Sequence, residues 1–185
     1  METCAGSRLL LGEFRESAVI AAAKGALEEC GGQPTCGFLF LSASWLAQIN
    51  EVLDLVRLHG RIPLLVGSLG AGLIGRGREA EGVAGMSLLL LDLPATKLTP
   101  VVISNEQIEE STGPAYWQME SGLGADDVDS WIVLANPAAP NLERWLHEWN
   151  IAFPDAPSIG GLASGSSANG ENALPFGKVL GLALG

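Results

Sequence analysis

Val66-Gly67-Ser68-Leu69-Gly70-Ala71-Gly72 reappears in the second half of the chain as Ile159-Gly160-Gly161-Leu162-Ala163-Ser164-Gly165. Upstream, the apolar run Phe38-Leu39-Phe40-Leu41 reappears as Trp131-Ile132-Val133-Leu134, at the same spacing and with no gap. An apolar run bounded by glycines reads as a buried strand entering a turn. Found twice in one order, the pattern predicts a fold of two like halves. A glycine-rich stretch with a twin belongs to the scaffold before it belongs to an active site.

Working outward, Leu9 to Leu11 reads as a short strand and Phe14 to Glu29 as a helix, with Phe14, Ala18, Ala21, Ala22 and Ala26 near helical spacing and Gly31-Gly32 as its stop. Gly37 to Ser42 is the next strand. Leu46, Ile49, Leu53 and Val56 mark one face of a second helix. Leu64 to Ser68 is a strand, Gly70 to Gly85 a glycine-rich connection, and Met86 to Leu91 a strand closed by Pro94. The second half repeats the order: Val101 to Ser104, a helical region from Gln107 to Leu123 that Pro114 must break, Trp131 to Ala135, and a helix on Leu142, Trp145, Leu146 and Trp149. Ser158 to Leu162, a Gly/Ser-rich connection from Ser164 to Ala173, and Val179 to Leu184 complete it. The fold class expected is α/β: internally duplicated β-α-β-α-β-β units forming a layered α/β sandwich with mixed sheets, or alternatively a four-layer αββα arrangement. No Pro/Ser-rich linker parts the halves, so a single domain is expected, of two pseudo-repeats (about 1–92 and 94–185) sharing a core.

With 21 acidic against 10 basic residues the net charge is −11, which argues against nucleic acid and anionic membrane as partners. The N-terminus shows no signal-peptide pattern. Leu88-Leu89-Leu90-Leu91 is far short of the ~20 apolar residues that span a bilayer. Cys4, Cys30 and Cys36 are odd in number and lack zinc-ligand spacing, which points to reduced thiols in the cytoplasm.

Gly70-Ala71-Gly72-Leu73-Ile74-Gly75 is a literal G-x-G-x-x-G after a strand, and Asp92 lies about where a ribose-binding acid would. A dinucleotide site needs a helix to open on the last glycines. Arg76-Gly77-Arg78-Glu79-Ala80-Glu81-Gly82 leaves no room for one, so these read as structural glycines. Ser68 lacks the preceding glycine of a nucleophile elbow and has Gly161 as its twin. His59 and His147 belong to no ligand cluster. Arg78, Glu79 and Glu81 read either as functional loop charges or as a solvated hairpin with a local ion pair. Trp117, Trp145 and Trp149 read as core rather than as a pocket wall.

The run from Val66 to Glu81 followed by Met86-Ser87-Leu88-Leu89 resembles the FIST N-terminal domain family, as do Leu134-Ala135-Asn136-Pro137, Phe153-Pro154, Ile159 to Gly165 and the closing Gly181-Leu182-Ala183-Leu184-Gly185. The resemblance implies a sensory, small-ligand-binding module of signalling proteins, with amino acids as suggested ligands. It also implies, as the alternative, a protein-interaction module, as in F-box ubiquitin ligase relatives. Family members often carry cysteine where this chain has Gly67, and usually continue into a C-terminal FIST domain, which is absent from this sequence. The expectation is therefore a cytoplasmic, non-enzymatic domain that binds a small polar ligand or a partner protein, with no catalytic residue, cofactor or metal, no nucleic acid and no membrane. Arg78, Glu79, Asn136 and Ser164 are the ligand-binding candidates, chosen for polarity near the strand ends. An enzyme using the glycine-rich loops as an anion site is the remaining alternative.

Overall fold

A computed structural model describes residues 3–164 and 179–185, and these fall into two compact units. One runs through Ala95 and takes in Ser164; the other runs from Thr96 to Ala163 and takes in the last strand.

In the first unit the order is β1 (Cys4–Leu11), α1 (Glu16–Glu29), β2 (Cys36–Leu41), a 3₁₀ segment (Ala43–Gln48), α2 (Ile49–Gly60), β3 (Leu65–Leu69), β4 (Gly72–Gly75), β5 (Arg78–Glu81) and β6 (Gly85–Asp92). The sheet order is β1-β6-β2-β3, with β4 and β5 forming a separate hairpin. β6 runs antiparallel to both neighbours, while β2 and β3 are parallel. Val19, Ala23 and Ala26 are the buried stripe of α1. Their small side chains let the helix close on β1, where a Cβ on Gly6 would stand 2.0 Å from the Ala26 carbonyl oxygen. Ala21, expected on that stripe, faces solvent. Val52 and Val56 are the buried stripe of α2. They meet Leu39 and Leu41 of β2 and Met86, Leu88 and Leu90 of β6 in one core. Each of those large side chains contributes roughly 1.5–3 kcal/mol by burial.

The second unit contains β7 (Leu98–Ile103), α3 (Asn105–Glu110), α4 (Pro114–Ser121), β8 (Ser130–Ala135), α5 (Leu142–Ala152), β9 (Ser158–Leu162) and β10 (Val179–Leu184). Its sheet order, β7-β10-β8-β9, is that of the first sheet. The helical break expected at Pro114 is present: Ser104 caps α3 with a capping box to Gln107, and Pro114 opens α4. Pro100 lies on β7, an edge strand, where a missing N–H is tolerated. Trp117, Trp131, Trp145, Trp149 and Phe153 fill the core. Leu146 stands outside it, exposed, contrary to the face expected from spacing. Each unit has a cluster of buried residues of its own.

The constant spacing of the repeat does not survive pairing. Gly67 stands against Leu39 and Gly160 against Val133, so β3 and β9 match at the spacing read from the sequence while β2 and β8 match one residue further on. Faces demand it: Leu39 and Leu41 are core residues of the first unit, and Val133 and Ala135 of the second. Aligning Leu39 with Ile132 would turn the strand inside out, because a one-residue slip exchanges the faces.

Candidate functional site

Open α/β sheets take ligands beyond the carboxyl ends of their parallel strands. In the first unit those ends are Leu41-Ser42 and Leu69-Gly70, tied by the Gly70 N–H donating to Leu41 O at 2.8 Å. The buried Ser42 closes the end: its Oγ accepts the Gly85 N–H at 2.9 Å and its N–H donates to Gly85 O at 3.0 Å. In the second unit the matching bond runs from the Ala163 N–H to Ala135 O at 2.8 Å. Asn136 follows directly and opens a turn, its Oδ1 accepting the Ala138 N–H at 2.9 Å and its main-chain oxygen the Ala139 N–H at 3.0 Å.

Between β3 and β6 the glycine-rich connection folds as the β4–β5 hairpin. Its two-residue turn is Arg76-Gly77, at φ 54 and 70, the positive pair a type I′ turn requires and for which Gly77 is suited. The hairpin is fastened at three points. At its base the Ala71 N–H donates to Ser164 Oγ at 3.1 Å. At mid-length the Ser87 hydroxyl donates to Ile74 O at 2.6 Å, and Leu73 is buried. At the tip the Arg76 guanidinium donates to Glu29 Oε1 at 2.5 Å.

Glu29 ends α1 and also receives the Arg8 guanidinium and the Ser7 N–H. The Ser7 N–H and the Arg8 guanidinium hold its carboxyl below the usual range, with Arg76 adding to them against a smaller opposing effect of desolvation.

Arg78 and Glu79 are both exposed neighbours on β5, and adjacent strand residues point to opposite faces. Arg78 pairs with Gly75 and shares the face of Leu73; Glu79 pairs with Ile74, which faces solvent. The structure thus sets these two candidates on opposite sides of one ribbon. Ser164 belongs to the same unit, at the hairpin base; Asn136 belongs to the other. The ion pair that the hairpin makes among the described residues runs from Arg76 to Glu29, 47 residues away, and does not involve Arg78, Glu79 or Glu81. Glu29, Arg8 and Arg76 were not among the sequence candidates, and no short-range pattern links them.

The G-x-G-x-x-G glycines lie before and on β4, so no helix N-terminus meets a phosphate there. Trp117, Trp145 and Trp149 are fully or almost fully buried in ring contacts, as expected of core. Glu148, among them, accepts the Ser111 hydroxyl at 2.5 Å and the Trp117 indole N–H at 2.9 Å. Burial pushes its carboxyl up, but those two donors, with Arg144 and His147, carry it below the usual range. Among the described residues no group of three or more His, Cys, Asp or Glu is placed to hold a metal ion, and no helix is long and apolar enough to cross a membrane.

The FIST N domain model matches residues 35–183. The chain belongs to the FIST N domain family. FIST domains are sensory domains of signalling proteins. No curated protein matches the chain in sequence. Among solved structures, a cyanuric acid hydrolase from A. caulinodans is similar at 12% identity and a TM-score of 0.42, over 98% of this chain and 70% of that one. A further cyanuric acid hydrolase structure is similar at 10% identity and a TM-score of 0.38, over 100% of this chain and 69% of that one. At these scores neither likeness assigns an activity to the FIST N domain.

Proposed function

We propose that this FIST N domain is a non-enzymatic, cytoplasmic sensory module that takes a small polar ligand, an amino acid or a related metabolite, beside the hairpin. The observation that carries the reading is the bond from the Ala71 N–H to Ser164 Oγ, which sets Ser164 at the base of the ribbon bearing Arg78 and Glu79. Arg78 offers a planar fork for a carboxylate. Because Glu79 projects to the other face, one ligand engages one of the two, and we assign Arg78. Asn136, at the matching strand end of the second unit, would serve a ligand there. The shared strand order supports treating the chain as one domain of two pseudo-repeats. Screening amino acids at millimolar concentration by thermal shift tests the reading: at least one raises Tm, and Arg78→Ala removes the shift while Arg57→Ala keeps it. A ligand at 100 times its Kd would add about 2.7 kcal/mol. No stabilisation by any of them contradicts it.

A second reading, a protein-interaction module, is favoured by β9. This edge strand exposes Ile159 at 72% and Leu162 at 59%, and open edges pair with added strands. Ile159→Lys would then abolish capture of a protein partner and leave any ligand-induced Tm shift unchanged.

A further inference from the structure

Three thiols, drawn from three elements of the first unit, gather at the end of the sheet where β1 and β2 begin. Cys4 opens β1 opposite Asp92, Cys36 opens β2 opposite Leu91, and Cys30 caps α1. Cys4 is exposed; Cys30 and Cys36 are buried. The Cys30 thiol points at Cys4, with Sγ 3.9 Å from the Cys4 carbonyl oxygen. Gly6, on the same face of β1 as Cys4, is close enough to α1 that a Cβ there would stand 2.7 Å from the Cys30 nitrogen. The cysteine side chain two residues before Gly6 therefore leaves β1 toward the end of α1, where Cys30 sits. No metal-ligand group of three includes these thiols among the described residues, so their proximity calls for a different chemistry.

We infer that Cys4 and Cys30 are a redox-active pair, converted to an intramolecular disulfide by a low-molecular-weight disulfide such as oxidised glutathione. Exposed Cys4 reacts first. Its thiolate attacks one sulfur of the oxidant, the oxidant's S–S bond breaks, and one glutathione leaves as thiolate. Cys30 then gives up its proton and attacks the Cys4 sulfur, displacing the second glutathione. Two S–H bonds are lost, one S–S bond forms, and the oxidant leaves as two thiols carrying the two protons. Burial, with Asp92 and Cys4 nearby, pushes the Cys30 thiol up, so exposed Cys4 rather than buried Cys30 meets the oxidant first. Burial likewise pushes Cys36 up, and it lies out of reach of reagent. Cys30 directly follows Glu29, the carboxylate that holds the hairpin tip, so the bond would form one residue from that fastening.

The test is to incubate the full chain in glutathione redox buffers of increasing oxidising ratio, quench with acid, alkylate, and map the peptides by mass spectrometry. The expected result is loss of two of the three thiols and a linked peptide pair containing Cys4 and Cys30. Cys36→Ser keeps that linkage, and Cys30→Ser stops with one glutathione on Cys4. Mapping of the unsubstituted chain decides the matter even where a variant does not fold. Persistence of all three thiols at the most oxidising ratio overturns the inference, as does a linkage that uses Cys36 or joins two chains.

Discussion

Gly67 lies so close to β2 that a Cβ on it would stand 1.7 Å from the Leu39 carbonyl oxygen, and Gly160 stands in the same relation to Val133, again at 1.7 Å. The glycine is required in both units because backbone, not a yielding side chain, occupies the space. Gly67→Ala and Gly160→Ala should each destabilise the protein by about 3 kcal/mol or more, at the upper end of overpacking costs. Gly161, with nothing within 4 Å of its Cβ position, should accept alanine within about 0.5 kcal/mol. Urea denaturation of the three variants checks the contrast.

The hairpin tip should respond to acid. Glu29 titrates below an ordinary glutamate because the Ser7 N–H, Arg8 and Arg76 favour its charged form. A depressed folded-state pKa stabilises above the unfolded value and is lost as pH falls through the folded one. A carboxyl-carbon NMR titration should place the Glu29 midpoint below ~4.3, and Arg8→Ala and Arg76→Ala should each raise it. A midpoint at or above the ordinary value contradicts the tip contact.

These two features differ in how far they could be read from sequence. β9 and β10 occupy the residues expected of them, because Ser158 to Leu162 repeats the strand before the first glycine-rich connection and Val179 to Leu184 is a short apolar run. The shift between β2 and β8 was not legible: Trp131-Ile132-Val133-Leu134 is apolar throughout, so no alternation marks its core face. Only the pairing of Val133 with Gly160 settles it. The fastening of the hairpin was equally hidden, since Arg8 and Arg76 reach Glu29 across 21 and 47 residues. Arg78 and Glu79 were chosen for charge in a loop, and only the strand geometry of β5 parts them. The connection from Ser164 to Ala173 lies, apart from Ser164, outside the described residues.

In the second unit Glu148 should be the most costly carboxylate to remove. Its side chain is only 14% exposed, and it accepts from Ser111 and Trp117. Glu148→Ala strands the buried Trp117 indole N–H and should cost about 1–3 kcal/mol. Glu148→Gln retains an acceptor oxygen and should cost less than half as much. Denaturant midpoints at neutral pH measure both.

Trp149 packs against Trp131 at 4.7 Å, Phe153 at 5.0 Å, Trp145 at 5.2 Å and Trp117 at 6.0 Å between ring centroids. Trp149→Ala should cost about 3–5 kcal/mol. Near-ultraviolet circular dichroism should show the loss of coupled aromatic signal.

The most direct measurement of the central claim is an NMR titration of the ¹⁵N-labelled chain with the amino acid that gives the largest thermal shift. The account predicts saturable shift changes that centre on Ala71, Arg78 and Ser164 and vanish in Arg78→Ala. Saturable changes that leave the hairpin untouched, or no change at millimolar concentration, would contradict it.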